Sequence, residues 1–424
     1  MKQRALFSAV LIGGLALTGC GSASEPGSSS STGGSTDKLV VWDWKSGEEN
    51  AAGYFEQAKA DFAEKHPDVT VEFVAQPFDQ YYTLLGTAIQ AGEGPDVVMF
   101  NGGGQIRDRV DALLVLDDYV ADDRERLAGW EAFSKDGEVF AAPLTLQGHP
   151  IYYNKALYEE AGLDPDNPPS TWEDFVAGCE SIKTKTGAAC IGLGNKEGYG
   201  IEFFLSAMGS AVLTPEEYDA WIAGDRDWSA PHVKQIFELW QTAGDTGLNN
   251  EGANSTAMFN DSFAIFQAGE AANIIGLMSD IGHWKDFNEF LEPDNVGVMP
   301  APVVNQEATP SLPYDGGIGY AVMNWTPNPD LAADLVRSLT SSEALEAFYA
   351  DAGAIVSDTT IDVSGAGPAV ATIVGELQNG KQALHVALSS QTLDLMHRLS
   401  QQLLSGSVTV DDAVEQLAAS DEAG

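Results

Sequence analysis

Basic residues are scarce in this chain: 21 Lys and Arg stand against 63 Asp and Glu among 424 residues, a formal charge of −42. Nucleic acid and a bare anionic lipid surface both demand positive patches, so both are excluded as partners. The acidic residues are scattered rather than clustered, which reads as a solvated surface. Histidine is also sparse, and the six (66, 149, 232, 283, 385 and 397) show no close pair at metal-ligand spacing. GxSxG, HExxH, a phosphate loop and clustered CxxC pairs are all missing. A catalytic role then has no motif to stand on, and no cofactor is expected. A secreted glycoside-active enzyme needs only two opposed carboxylates, so it stays as a lesser alternative.

Cysteine is limited to three residues, Cys20, Cys179 and Cys190. Lys2 and Arg4 precede an apolar stretch, Ala5 to Leu17, too short for a spanning helix, which needs about 20 residues. That is the pattern of an export signal. Leu17-Thr18-Gly19-Cys20 closes it in the form of a bacterial lipobox. Residues 1–19 are therefore expected to be a lipoprotein signal peptide, with Cys20 lipidated. Gly21 to Asp37 is rich in Ser, Gly and Thr. Such a 17-residue coil reaches roughly 23 Å and acts as a flexible tether. No second apolar run of transmembrane length follows. The expected location is the extracellular face of a cell membrane, anchored by lipid. The remaining even pair, Cys179 and Cys190, predicts a structural disulfide in an exported chain.

Hydrophobic periodicity gives the architecture. Lys38 to Trp44 reads as a buried strand, Glu48 to His66 as a helix stopped by Pro67, and Val69 to Val74 as an alternating strand. A second helix over Tyr81 to Ala91 ends at Gly92-Glu93-Gly94-Pro95, before a strand at Asp96 to Phe100. This alternation predicts an α/β domain with parallel pairing. Beyond Pro143 the pattern is strand-like from Leu144 to Tyr153, then mostly helical, with a late strand at Ile318 to Met323. Asn154 and Thr171 are placed as helix N-caps, and Asp174 completes a capping-box-like pattern.

Six stretches then stand in a familiar order. They are "VVWDWKSGEENAAGYFEQAKADFAEKHPDVTVEF", "AIQAGEGPDVVMFNGG", "DGEVFAAPLTLQGHPIYYNKALYEEAGLD" with "PPSTWEDF", "FNDSFAIFQAGEAANIIGLMSD", "VGVMPAP" and "GGIGYAVMN". Together they resemble the sugar-binding group of extracellular solute-binding proteins of ABC importers, which includes maltose-binding protein. Met278 stands where that family often carries a tryptophan; either that platform is absent or Trp284 supplies it.

The resemblance implies a two-lobed, periplasmic-binding-protein-like (type II) fold with a hinged interdomain cleft. It places lobe one at 38–146 with 302–350, and lobe two at 147–301 with 351–420. Crossings are expected near Gln147, Pro300 and Gly353. It also implies a monomeric, lipid-anchored binder that captures a carbohydrate and delivers it to an ABC permease. The alternative is a non-sugar solute such as iron, a polyamine, phosphate or a peptide. Ligand-binding side chains should occupy loops beyond strand ends at the lobe interface. The candidates are Trp44, Asn101, Gln147, His149, Tyr199, Asp280, Trp284, Tyr314, Asp315 and Gly317. Aromatic rings can pack on sugar C–H faces and the polar side chains can bond hydroxyls.

Overall fold

A computed structural model describes residues 38–279, 282–377 and 381–423. The expected signal peptide, Cys20, the tether and Asp280 lie outside the described residues. The chain begins with β1 (Lys38–Asp43), α1 (Ala52–Lys65), β2 (Thr70–Ala75), α2 (Phe78–Ala91), β3 (Val97–Asn101) and the short α3 (Gly104–Arg107). The hairpin β4 (Ser134–Lys135) and β5 (Glu138–Val139) leads to β6 (Ala141–Pro143), β7 (Leu146–Gly148) and β8 (Ile151–Asn154). The strand-like run after Pro143 is thus broken. Pro150, which has no N–H to give a ladder, separates β7 from β8.

Next come α4 (Lys155–Glu160), α5 (Trp172–Thr186), β9 (Ala189–Gly192), α6 (Gly200–Val212), α7 (Pro215–Ile222) and α8 (Pro231–Asp245). They are followed by α9 (Phe263–Gln267), β10 (Ala271–Ile275), α10 (His283–Leu291) and β11 (Val296–Met299). The last part holds β12 (Tyr314–Gly316), β13 (Ile318–Val322), α11 (Pro329–Leu339) and α12 (Ser342–Ala352), then α13 (Pro368–Leu377), α14 (Ser390–Leu404) and α15 (Val410–Asp421).

Two sheets organise these elements. The first runs β2-β1-β3-β13-β6, with β1 parallel to β2 and β3, and β13 antiparallel to β3 and β6. The second runs β11-β8-β10-β9. Each sheet carries its own apolar core. Tyr54, Phe62, Phe100, Phe133 and Phe348 fill the first, and Tyr158, Trp221, Phe237 and Met396 the second. Between them lies a two-stranded antiparallel ribbon, β7 with β12, in the register Tyr314↔Gly148, Asp315↔Gln147 and Gly316↔Leu146.

Local chemistry sets the helix starts. The Asn154 side chain accepts the Leu157 N–H at 3.2 Å, and Thr171 Oγ1 accepts the Asp174 N–H at 3.2 Å. Asp96 ties strands together: its carboxylate accepts the Val40 N–H at 2.9 Å and the Thr326 hydroxyl at 2.7 Å. α2 starts earlier than expected, at Phe78, because Pro77 sits at its N-cap in an extended conformation.

Two of the expected crossings shift. Segment 303–311, expected in lobe one, bonds to the second sheet's helices. Val303 N–H donates to Ser170 O at 2.9 Å, Val304 N–H to Ala211 O at 3.0 Å, and Ser311 N–H to Ser210 Oγ at 3.1 Å. Asp358, expected in lobe two, accepts from Arg126 at 2.7 Å and Ser342 at 2.6 Å on the first side. We therefore place the return crossing at Leu312–Pro313 and the last one beyond Asp358.

Cys179 of α5 and Cys190 of β9 are joined by a disulfide with Cα atoms 5.0 Å apart. The bond closes a short loop, and loops of this size contribute roughly 3 kcal/mol in the chain-entropy picture. Replacing both cysteines with alanine should lower unfolding stability by about that amount. Urea unfolding with and without reductant checks it; an unchanged midpoint on reduction would remove the structural role.

Candidate functional site

The C-terminal ends of β1 and β3 open the first wall of the cleft. Trp44, just past β1, has its ring centroid 4.8 Å from Tyr81, 5.3 Å from Phe78 and 6.4 Å from Tyr82. Asn101 ends β3, and its backbone N–H donates to Tyr82 Oη at 2.9 Å. The Arg109 guanidinium lies 5.1 Å over the Tyr82 ring. Aromatic edges and faces therefore share this wall with one cation.

The second wall comes from α6 and α14. Tyr199 precedes α6 and packs 4.9 Å from His397 and 5.6 Å from Phe259. Phe78 of the first side lies 6.4 Å from both Tyr199 and Phe259 of the second. Phe78 and Phe259 are each 37% exposed, so apolar rings from opposite sides meet at the mouth in partial contact with water.

The floor is the β7–β12 ribbon. Side chains alternate along a strand, so Gln147, His149, Asp315 and Gly317 share one face while Tyr314 takes the other. Gly317 is required by close approach. A Cβ there would stand 2.6 Å from Thr145 Oγ1 and 3.1 Å from Gln147 Cβ. Gln147 Nε2 lies 3.1 Å from His149 Nε2. Since the amide nitrogen only donates, the imidazole Nε2 accepts, which puts the ring proton on Nδ1. Gln147 Oε1, His149 Nδ1 and Asp315 Oδ2 have no hydrogen-bond partner among the described residues.

The structure thus gathers Gln147, His149, Asp315 and Gly317 on the floor, with Trp44, Asn101 and Tyr199 on the walls. It does not gather the other two described candidates. Trp284 is committed to packing: its indole N–H donates to Gly353 O at 2.8 Å and its ring lies 6.1 Å from Tyr349. Tyr314 faces the opposite side of the ribbon, and its backbone N–H bonds to Lys381 O at 2.7 Å.

A titratable cluster behind the second wall was not anticipated. Glu202 accepts from His397 at 2.7 Å and lies 3.7 Å from His385. Ser206 Oγ approaches His385 Nδ1 at 2.5 Å, and the His385 ring is 5.2 Å from that of His149. Phe203 then touches His149 at 4.2 Å. Burial works to raise the Glu202 carboxyl, but the His397 hydrogen bond and the His385 and His397 charges outweigh it and hold it at about 2. Burial holds His149 well below the ordinary imidazole range, with His385 adding to it, and burial lowers His385 against the pull of Glu202. One signal was available: Glu202 is the single charged residue in the run Gly200–Val212.

Residues 46–346 match the profile of the bacterial extracellular solute-binding proteins. The chain belongs to that family. This solute-binding protein is 29% identical over 233 residues to a binding protein of Brucella abortus, covering 52% of this chain and 54% of the relative. It is 32% identical over 140 residues to an arabinooligosaccharide-binding protein of Halalkalibacterium halodurans, covering 31% of each. The chain spans about half the length of the first curated relatives it matches. A solved chitin oligosaccharide-binding protein superposes with a TM-score of 0.79 at 17% identity, over 91% of this chain and 98% of that one. That likeness establishes the two-lobed type II fold. Among the described residues of the solute-binding protein, no group of three His, Cys, Asp or Glu could hold a metal, and no helix is long and apolar enough to cross a membrane.

The buried histidines predict an acid instability with a definite sign. Burial disfavours the charged form of His149 and His385 in the folded chain, whereas unfolded imidazoles take up protons near pH 6.5. Their contribution is complete above about pH 6.5 and is lost as pH falls below it, by up to about 1.4 kcal/mol per pH unit for each. Glu202 adds a second loss between its ordinary 4.5 and about 2. The thermal midpoint should fall from pH 7 to pH 5, and His149→Gln should flatten that fall. An equal slope in wild type and variant would refute the assignment.

Proposed function

We propose that this solute-binding protein captures a carbohydrate between its lobes and delivers it to an ABC transporter permease. The observation that carries the reading is the make-up of the cleft. Aromatic rings enter from both sides, Trp44 and Phe78 from one and Tyr199 and Phe259 from the other. The floor between them presents polar atoms that the protein leaves without partners. A sugar has apolar C–H faces for the rings and hydroxyl edges for Gln147 Oε1 and His149 Nδ1–H. The names of the arabinooligosaccharide-binding relative and the chitin oligosaccharide-binding neighbour point to the same ligand class.

The mechanism is binding without chemistry. Ligand that touches both lobes stabilises the closed state over the open one, by as much as its contacts differ between them. The closed form then docks on the permease, whose own ATPase supplies energy. A lipid on Cys20 and the tether at 21–37 keep the monomeric binder at the membrane's outer face.

Thermal unfolding against mono- and oligosaccharides, iron, phosphate, polyamines and peptides tests this. Ligand at 100 times its dissociation constant adds about 2.7 kcal/mol of stability. The expected result is an upward shift with one sugar class, abolished in Trp44→Ala and in Gln147→Ala. Trp284→Phe should keep the shift, since that side chain only packs. A shift with phosphate, iron or a peptide, and with no sugar, would overturn the carbohydrate reading.

A further inference from the structure

The floor of the cleft pairs two residues that each keep one acceptor oxygen without a hydrogen-bond partner among the described residues. Asp315 and Gln147 lie directly opposite each other across β12 and β7, so their side chains leave the ribbon on one face. Such cross-strand neighbours have Cβ atoms about 5 Å apart. Asp315 is only 4% exposed. Its Oδ1 accepts the Gly316 N–H at 2.8 Å, while Oδ2 and Gln147 Oε1 are both without a partner among the described residues.

The groups acting on Asp315 come from several elements. Arg107 faces it from α3, Glu131 from the turn at 130–133, Tyr218 from α7, and Gln382 from the segment before α14. Arg107 is the cation of that set, and its guanidinium donates to the Val386 carbonyl. Burial pushes the Asp315 carboxyl up to about 6, against the Gly316 N–H, Gln382 and Arg107. The approach to the floor is also negative. Burial, then the charges of Glu202, Glu197, Asp394 and Asp79, push the Tyr199 phenol up to about 12.

Arg107 acts on Asp315 without forming an ion pair with it, so the buried carboxylate has no cation in contact among the described residues, and a ligand that supplies one gains more than a ligand that does not. Two adjacent acceptors also discriminate by hydrogen count. A hydroxyl donates one hydrogen and brings lone pairs of its own; an ammonium donates three and brings none. A neutral diol could bond both oxygens, yet it would bring no cation into contact with the carboxylate. We propose that the captured solute carries a protonated amine, held by Asp315 and Gln147. Resting on the carbohydrate reading, this makes the ligand an amino sugar. The amine site itself follows from the ribbon alone.

The purified protein is titrated calorimetrically at pH 7 with a glucosamine tetramer, its N-acetylated counterpart and maltotetraose, with spermidine as an amine that is not a sugar. The amine tetramer should bind about tenfold or more tighter than either neutral one. That preference should vanish in Asp315→Asn. In wild type it should also vanish at pH 5, because Asp315 attracts the amine only when ionised, above about 6. The wild-type pH comparison decides the matter if the variant does not fold. Equal or tighter binding of the neutral tetramers, or a preference that survives both tests, overturns the amine site and leaves the carbohydrate reading standing. Spermidine binding with the same dependence on Asp315, and no tetramer binding, upholds the amine site and overturns the carbohydrate reading. No binding of any amine overturns the proposal.

Discussion

Everything at the cleft depends on where β13 lies. This late strand enters the middle of the first sheet and pairs antiparallel with β3 and β6, strands from the early part of the chain. The chain must therefore leave the first sheet after β6, build the second, and come back. Its path out and its path back run beside the same two strands. Gly102 N–H bonds to Gly317 O at 2.8 Å, and Leu144 N–H to Ile318 O at 2.8 Å. β7 and β12 continue those paths and pair with each other, which makes the floor ribbon. Such long-range pairing carries a loop-closure cost. The cores on either side offset it, and the sequence separation fixes no local signal for the result.

The close spacing at this junction leaves little room for side chains. A Cβ on Gly102 would stand 2.4 Å from Gly316 O, and one on Gly316 would stand 2.3 Å from Gly129 O. Backbones in contact here mean that the polar side chains of Gln147, His149 and Asp315 are held at fixed positions and not presented on mobile loops. Behind them, burial disfavours the charged forms of His149 and His385 beside the Glu202 carboxylate. The chain as a whole carries a net charge of −42.

Much of the fold was legible because it obeys local rules. Asn154 and Thr171 cap helices where their side chains meet free backbone N–H groups. The first strands alternate or run apolar as a half-covered parallel sheet requires. α6 was missed for the opposite reason. All its residues but Glu202 are buried, so it has no polar face and no period to read. Segment 303–311 lies apart from the expected side because it is tied mainly by hydrogen bonds to Ser170, Ser210 and Ala211, with Val304 packing on the second core, and this leaves little periodic pattern to read. Of the site, the floor residues could be named from their place beside the crossing, but not their facing. That follows from a strand register that only the paired structure supplies. Phe78 and Phe259 were overlooked, since a phenylalanine opening a helix or sitting in the turn at 258–262 reads as core. Glu202, His385 and His397 meet from distant parts of the chain, where spacing carries no information.

In the proposed capture between the lobes, the unpartnered floor atoms also bear on how binding would be coupled to closure. A protein that satisfied Gln147 Oε1, His149 Nδ1 and Asp315 Oδ2 internally would gain stability and lose selectivity, since its closed state would need no ligand. Leaving them without protein donors or acceptors imposes a desolvation cost on the closed cleft, of the order of 1–3 kcal/mol for each neutral group and more for a charge. In an open cleft the same atoms would be solvated. A solute that bonds them removes the cost only where the walls meet, so its differential affinity for the closed state includes the penalty it relieves. The aromatic contacts of Phe78 with Tyr199 and Phe259 act the other way, favouring approach of the lobes whether or not a ligand is bound. The balance of these two opposed terms, apolar contact at the mouth and unmet polarity at the floor, sets how far closure reports on occupancy.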